Sequence, residues 1–152
     1  MDTALIDVRY LTIEDYQELK ESMMQAYASL GGQYWKEEAI KKLIHKFPDG
    51  QIVITLDGKV VGCALSIIVY YDKFGDKHNY REITGNFSFE THNSKGDTLY
   101  GIEIFVHPNY RGMRLARRLY DTRKMLCERL NLKAIVAGGR IPKYSMYADT
   151  LK

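Results

Sequence analysis

The chain has 152 residues, of which 45% are hydrophobic and 27% charged, and its formal net charge at neutral pH is +3. This composition predicts one soluble globular domain and argues against a disordered or fibrous chain. The small net charge argues against a general nucleic-acid binder, and the apolar run 60–71 is too short and too polar to span a membrane.

The cysteines and histidines are few and scattered. Cys63 falls in an apolar strand and Cys127 on a helix, and the four histidines show no metal-ligand spacing. The first residues lack the charged start and long apolar stretch of a signal peptide. We therefore expect no metal site, reduced thiols and a cytoplasmic protein.

Hydrophobic periodicity and turn residues predict the element order βααβββαβα. Thr12 is a good N-cap for the first helix, Gly31-Gly32 ends it, and Asp57-Gly58 is a two-residue hairpin signal. The predicted strands are 5–10, 51–56, 59–70, 99–106 and 133–137, and the predicted helices are 13–30, 35–46, 112–130 and 144–151.

The segment 71–97 is predicted as a long polar loop with one weak strand-like patch at 86–90. Loops of this length in compact domains are usually functional or mobile. A surface loop and a substrate-binding loop remain equally open interpretations of this segment.

The most informative stretch joins the strand 99–106 to the following helix through Arg111-Gly112-Met113-Arg114-Leu115-Ala116. The first N–H groups of a helix lack intrahelical partners, and the helix dipole is positive at that end. Gly112 has no Cβ, so an anion can approach the backbone. Seven of the 22 Lys and Arg residues lie within 111–129, which predicts a local positive field. The alternative is an ordinary strand-to-helix turn with a solvated arginine face.

The string Val106-His-Pro-Asn-Tyr-Arg-Gly-Met-Arg-Leu-Ala-Arg-Arg-Leu119 resembles motif A of the GNAT superfamily of acetyl-CoA-dependent N-acetyltransferases, Val-x-Pro-x-Tyr-Arg-Gly-x-Gly-x-Gly/Ala. In that family the backbone N–H groups of the motif bind the coenzyme A pyrophosphate. The resemblance implies the same role for Arg111, Gly112, Met113, Arg114, Leu115 and Ala116. Arg114 replaces the second glycine, so its side chain must point away from the pyrophosphate or reach over it.

The resemblance also implies an α/β fold, a GNAT-like mixed sheet flanked by helices, over the single domain 1–152. A complete GNAT domain has two further strands after its fourth helix. We therefore expect a C-terminally truncated domain of weak activity, with the open sheet edge covered by a second copy or by displacement of 144–152. Residues 83–86, 100–103 and 137–144 further resemble the amino-terminal GNAT domain of bacterial proteins that continue into a carbon–nitrogen hydrolase (nitrilase-type) domain.

Site chemistry is also implied by the resemblance. The pantetheine arm of the coenzyme would pair with the backbone of Phe105 and Val106. Glu103 is the candidate general base, since a half-buried carboxylate accepts protons near neutral pH, although strand alternation also allows an exposed face and water is another base. Tyr147 is the candidate acid for the leaving thiolate, with Tyr144 as its neighbouring alternative and simple packing as the other interpretation.

These observations predict an acetyl-CoA-dependent transferase that acetylates a primary amine on a small molecule or peptide, with no nucleic-acid or membrane partner. A coenzyme A-binding regulatory or docking domain without turnover is the main alternative. An RNA-binding domain would rest only on the arginine-rich helix, and the sequence lacks the surface aromatic platform that binds single strands.

Overall fold

A computed structural model describes residues 5–71 and 88–137, which form one five-stranded mixed sheet flanked by helices. This architecture confirms the predicted α/β fold class. The strands are β1 (Ile6–Tyr10), β2 (Ile52–Leu56), β3 (Lys59–Val69), β4 (Thr98–Val106) and β5 (Ala134–Ala137), and the α-helices are α1 (Tyr16–Ala26), α2 (Glu37–Lys46) and α3 (Leu115–Arg129). The predicted helix 144–151 lies outside the described residues.

The sheet follows the chain order β1-β2-β3-β4-β5. The first four strands are antiparallel to their neighbours, and β5 lies parallel to β4. Asp57 and Gly58 join β2 to β3 with φ angles of +52° and +86°, the backbone that tight hairpins require. The predicted hairpin is therefore confirmed.

The two faces of the sheet bury separate apolar clusters. Alternate residues of β3, such as Cys63 and Leu65, pack with α1 and α2, which contribute Leu19 and Leu43. On the opposite face, Leu115 and Leu119 of α3 pack against Ile54 and Ala64. The sheet is thus covered on both sides, and α3 alone supplies the helical cover of the second face among the described residues.

β3 extends beyond the end of β2, so in the described part of the chain the backbone of β3 after Leu65 has no strand on its β2 side. Gln51 and residues 92–93, near the end of the connection between β3 and β4, bond to this part of the strand. The Gln51 amide accepts from the Ser66 N–H at 3.1 Å and donates to the Ser66 carbonyl at 2.7 Å, as a strand backbone would. Two residues further on, the Ile68 N–H donates to His92 Nδ1 at 3.0 Å and its carbonyl accepts from the Asn93 N–H at 2.7 Å. These bonds satisfy backbone groups that would otherwise leave an open edge.

The weak strand-like patch at 86–90 is not a strand in its described part, because residues 88–90 lie in turns, as the predicted loop requires. Phe89 has a positive φ of +60° and is fully buried, with its ring 5.9 Å from that of Trp35. An apolar residue that looked like part of a strand is instead a single side chain inserted into the α1–α2 side of the core.

Helix boundaries differ from the predicted ones at three places. The first helix ends at Ala26 and is followed by a short 3-10 turn, Ala28–Leu30, while α2 begins at Glu37 and leaves Trp35 in the connection. The third helix begins at Leu115 rather than at 112. Ala116 and Leu130, two apolar residues within the predicted helix 112–130, are exposed.

Candidate functional site

The loop before α3 has the backbone of an anion-binding site. After the 3-10 turn Pro108–Tyr110, Gly112 adopts φ +93° and Arg114 adopts φ +61°. A Cβ built on Gly112 meets no atom within 4 Å, so the space above this residue is open. The first hydrogen bond of α3 runs from the Arg118 N–H to the Arg114 carbonyl, at 3.2 Å. The N–H groups of the three preceding helical residues therefore have no acceptor within the helix.

Two side chains anchor this loop to the rest of the protein. Leu115 at the helix start is buried against the sheet, and His107 Nδ1 accepts from the Asn109 N–H at 3.1 Å. Burial lowers the pKa of His107, as do the nearby charges of Lys59 and Arg111, so this imidazole remains a neutral acceptor at physiological pH. The loop is therefore anchored on the protein side while its open side faces solvent.

Positive charge surrounds the open side. The exposed side chains in the loop and first turn include Arg111, Arg114, Arg117 and Arg118. Arg117 lies 3.9 Å from Asp121, a contact between exposed groups that neutralises little of its field. Arg123, counted with this field from the sequence, is instead buried and makes no part of the surface charge.

β4 contains a bulge that changes the face of one carboxylate. Leu65 pairs with Glu103 and Ser66 pairs with Gly101, so Ile102 is the extra residue. Ile102 packs in the α1–α2 core, and Glu103 contacts residues on that same side. The exposed-face interpretation of Glu103 is therefore wrong, because the bulge turns two successive side chains inward.

The Glu103 carboxylate is buried among aromatic side chains, with only 1% of the residue exposed. Oε1 accepts from the indole Nε1–H of Trp35 at 2.9 Å, and Oε2 accepts from the hydroxyl of Tyr27. The Tyr27 ring in turn lies 6.3 Å from that of Phe105, the next inward-facing residue of β4. Tyr27 and Trp35 were not predicted as site residues, since in the sequence both fit apolar core positions.

Arg123 reaches the bulge from the opposite face of the sheet. Its Nη2 donates to the carbonyls of Leu65 and Glu103 at 2.7 Å each, and its Nε donates to the Ser66 hydroxyl at 3.0 Å. A Cβ on Gly101 would lie 2.7 Å from Nη1, so glycine is needed there to admit the guanidinium. The bulge is thus held by a buried cation on one side and presents a buried carboxylate on the other.

A buried thiol lies close to the same bulge. Burial raises the pKa of Cys63 well above its ordinary value, with a further increase from the charge of Glu103 and an opposing effect of Arg123. Cys63 and Cys127 are both free and buried. At neutral pH the Cys63 thiol is therefore protonated and unreactive.

The sheet opens at the carboxyl end of β4. The paired residues of β4 and β5 run from Thr98 to Gly101 on β4, and within the described residues no strand pairs with Ile104, Phe105 or Val106 on that side. Phe105 and Val106, predicted to meet the pantetheine arm, lie at this opening, directly before the loop that holds Gly112. The predicted coenzyme residues are therefore continuous along one end of the sheet.

Some predicted features cannot be placed. Tyr144 and Tyr147, the candidate acids, lie outside the described residues. Within residues 5–71 and 88–137, no three His, Cys, Asp or Glu side chains are grouped in a way that could hold a metal ion. The helices of these ranges are also too short or too polar to cross a membrane.

Comparison with known proteins identifies relatives of this arrangement. The family model described as "Acetyltransferase (GNAT) family" matches residues 13–147. A "Probable hydrolase YhcX" of Bacillus subtilis is 40% identical over 121 residues, which are 80% of this chain and 24% of that protein. An "Uncharacterized N-acetyltransferase YkwB" of the same organism is 32% identical over 117 residues, 77% of this chain and 52% of that protein. The chain thus spans about a quarter of the length of the first relative and about half of the length of the second.

Solved structures share the fold at low identity. The loading GNATL domain of CurA from Lyngbya majuscula superposes with a TM-score of 0.74 at 20% identity, over 95% of this chain and 69% of that one. A GphF GNAT-like decarboxylase in complex with isobutyryl-CoA gives a TM-score of 0.72 at 15% identity, over 96% and 72% of the two chains. At these identities the likeness concerns the fold alone.

Proposed function

Because the chain belongs to the GNAT family of acetyltransferases, we propose that it transfers the acetyl group of acetyl-CoA directly to a primary amine. The observation that carries this proposal is the loop before α3, with open space above Gly112 and free N–H groups at the helix start. Both features suit the pyrophosphate of coenzyme A. A solved chain of this fold also holds an acyl-CoA.

The coenzyme would lie along the end of the sheet. Its pyrophosphate contacts the backbone of residues 111–116, and its pantetheine arm runs beside Phe105 and Val106, where β4 has its open side. A backbone N–H there polarises the thioester carbonyl. Exposed arginines around the loop add long-range attraction for the phosphates.

The acceptor amine would approach from the α1–α2 side of β4. Attack on the thioester requires a neutral amine, so the ammonium must first lose a proton. Glu103 is the proposed acceptor of that proton, supported by its burial at the bulge beside Phe105. Tyr147 is the proposed donor to the leaving thiolate. The amine is a small molecule or the side chain of a peptide.

A coenzyme A-binding regulatory or docking domain without turnover is the second candidate. One observation favours it: the "Probable hydrolase YhcX" matches this chain over only 24% of its own length. A domain of a longer hydrolase could report the acyl-CoA level to its neighbour. Free buried thiols support our proposal of a cytoplasmic site of action for either candidate.

The experiment that separates the candidates measures binding and turnover on the same protein. Native mass spectrometry with acetyl-CoA detects the complex, and release of free coenzyme A is then followed with polyamines, amino acids, aminoglycosides and a lysine peptide. Gly112→Val should abolish binding by filling the open space, while Gly58→Val provides the control. Gly58 has a similar φ of +86° and equally open space but lies in the β2–β3 hairpin.

Each outcome has a distinct meaning. Binding with turnover supports the transferase, and binding without turnover across the panel supports the regulatory domain. Absence of binding, or equal binding by folded Gly112→Val, contradicts the assigned coenzyme loop.

A further inference from the structure

The buried carboxylate of Glu103 has a described donor on each oxygen. Trp35 Nε1–H occupies Oε1 at 2.9 Å, and the Tyr27 hydroxyl occupies Oε2. Since only 1% of Glu103 is exposed, an amine in the cleft does not reach the carboxylate directly but meets the side chains that cover it. A proton that reaches Glu103 must therefore pass through a neighbour.

The two donors differ in what they can do with a proton. The indole N–H of Trp35 is a donor only, whereas a phenol hydroxyl both donates and accepts. Trp35 is also buried, while Tyr27 is half-buried at the end of α1. Of these two groups, Tyr27 alone has the chemistry and the exposure to connect Glu103 with the cleft.

Tyr27 also lies next to the strand end where the thioester is expected. Its ring packs 6.3 Å from Phe105, the residue that would border the pantetheine arm. Tyr27 therefore contacts the buried carboxylate through its hydroxyl and the expected thioester region through its ring.

We propose that Tyr27 is a catalytic residue that relays the proton of the acceptor ammonium to Glu103, an inference that rests on the transferase function proposed above. The N–H bond of the ammonium breaks and its proton bonds to Tyr27 Oη. The Oη–H bond of Tyr27 breaks and its proton goes to Glu103 Oε2. Tyr27 ends neutral, Glu103 ends as a neutral acid, and the amine keeps the electron pair that attacks the thioester carbonyl.

Among residues 5–71 and 88–137, three other titratable groups lie near this pair or its partners without offering the same path. Cys63 of β3 lies near enough for Glu103 to raise the pKa of its thiol, but it is fully buried. Arg123 contacts the backbone carbonyl of Glu103 from the opposite side of the sheet. Tyr16, the first residue of α1, donates its hydroxyl hydrogen to the Trp35 carbonyl at 2.7 Å.

Tyr27→Phe tests the relay, with Tyr16→Phe as the matched control. Transfer from acetyl-CoA is measured at pH 7 with ethylamine, which is almost fully protonated, and with 2,2,2-trifluoroethylamine, which is largely neutral. The variant should lose about 100-fold or more in kcat/KM with ethylamine and far less with the fluorinated amine, which needs no deprotonation. Tyr16→Phe should leave the ratio of the two rates unchanged.

A purely structural role of Tyr27 would lower both rates equally, and that result would overturn the relay. The shift in Tm caused by acetyl-CoA verifies that the variant is folded. If Tyr27→Phe does not fold, 3-fluorotyrosine at position 27 keeps the ring and makes the hydroxyl more acidic, and an unchanged ratio then contradicts the relay. Failure of the wild-type chain to acetylate any amine would instead contradict the transferase function, and the relay with it.

Discussion

Arg114 carries a backbone conformation that glycine adopts more easily. Its φ of +61° and ψ of 26° lie in the left-handed region, where a Cβ crowds the following carbonyl. Motif A of the GNAT family has glycine at this position, and the structure gives the reason, since the loop must reverse before α3 begins. The loop geometry is therefore retained at the cost of backbone strain at Arg114, whose side chain would lie beside the expected phosphates.

Replacing Arg114 by glycine should therefore stabilise the protein. We expect the free energy of unfolding to rise by about 1 kcal/mol, measured from urea denaturation. Asn131→Gly is the control, because Asn131 has a φ of +59° after α3 but asparagine tolerates that region better. A gain no larger for Arg114→Gly than for Asn131→Gly would show that the arginine is not strained.

The carboxylate of Asp15 lies directly before the start of α1. It accepts two hydrogen bonds from Arg9, at 2.8 and 2.9 Å, and one from the Thr12 N–H at 2.9 Å. The bond with Arg9 is the main cause that holds the pKa of Asp15 below its ordinary 3.8. A lowered pKa stabilises the fold above pH 3.8, and this contribution is lost as the pH falls through the folded-state pKa.

Asp15→Asn should consequently cost about 1 kcal/mol at pH 7 and progressively less as the pH falls below about 4. Urea unfolding of both proteins between pH 7 and pH 2 measures the difference. Asp7→Asn is the control, with a carboxylate on the neighbouring strand β1. A difference for Asp15→Asn that stays constant across this range would contradict the assigned role of the ionised carboxylate.

The bulge in β4 depends on contacts from both faces of the sheet. A bulge leaves backbone groups of the strand without their ladder partners. Arg123 of α3 supplies donors to the carbonyls of Leu65 and Glu103, and Gly101 provides the space for its guanidinium. Helix α3 thereby stabilises an irregularity that positions Glu103 on the other face.

Arg123→Met keeps the length of the side chain and removes its donors. We expect a loss of about 2–4 kcal/mol in unfolding free energy, because two buried carbonyls and the Ser66 hydroxyl lose their partner. Arg129→Met is the matched control on the same helix. Arg129 is about half exposed, with its guanidinium 3.7 Å from Asp49, so its loss should change stability by less than about 0.5 kcal/mol.

Equal effects of the two substitutions would contradict this account of the bulge. A selective effect of Arg123→Met, by contrast, would identify Arg123 as the residue that holds it. Arg123→Lys should recover only part of the loss, since an ammonium cannot reproduce the planar fork of a guanidinium.

Charge is distributed unevenly over the protein. The net charge is only +3, yet exposed arginines cluster around the loop before α3. A local positive field of this kind acts over about 10 Å at 0.1 M salt and weakens as salt is added. The field therefore favours a small polyanion at one end of the sheet and leaves the rest of the surface near neutral.

Affinity for acetyl-CoA should accordingly fall as salt increases from 50 to 500 mM, by about tenfold. Isothermal titration calorimetry at several salt concentrations measures the slope. S-Acetylpantetheine, which lacks the phosphates, is the control ligand, and its weaker affinity should depend little on salt. Equal salt dependence for the two ligands would show that the arginines do not contact the phosphates.

Sequence patterns predicted the regular parts of this molecule better than the irregular ones. The hairpin at Asp57-Gly58 and the strand-loop-helix unit around Gly112 follow from local chemistry, because positive φ angles demand particular residues. The face of Glu103 could not be predicted, since a bulge arises from pairing with β3 and leaves no local pattern. Arg123 was missed because helical periodicity treats every arginine as a surface residue.

One consequence follows from the stiffness of α3. The helix begins at the loop that contains Gly112 and, eight residues later, holds the carbonyl of Glu103 through Arg123, a span of about 12 Å. When thermal motion shifts this helix as a rigid body, the loop and the bulge shift together. Their separation is therefore preserved while their absolute positions fluctuate. Precise alignment of the loop and the bulge, which acyl transfer would require, then depends on the rigidity of α3 and not on the absence of motion in the rest of the protein.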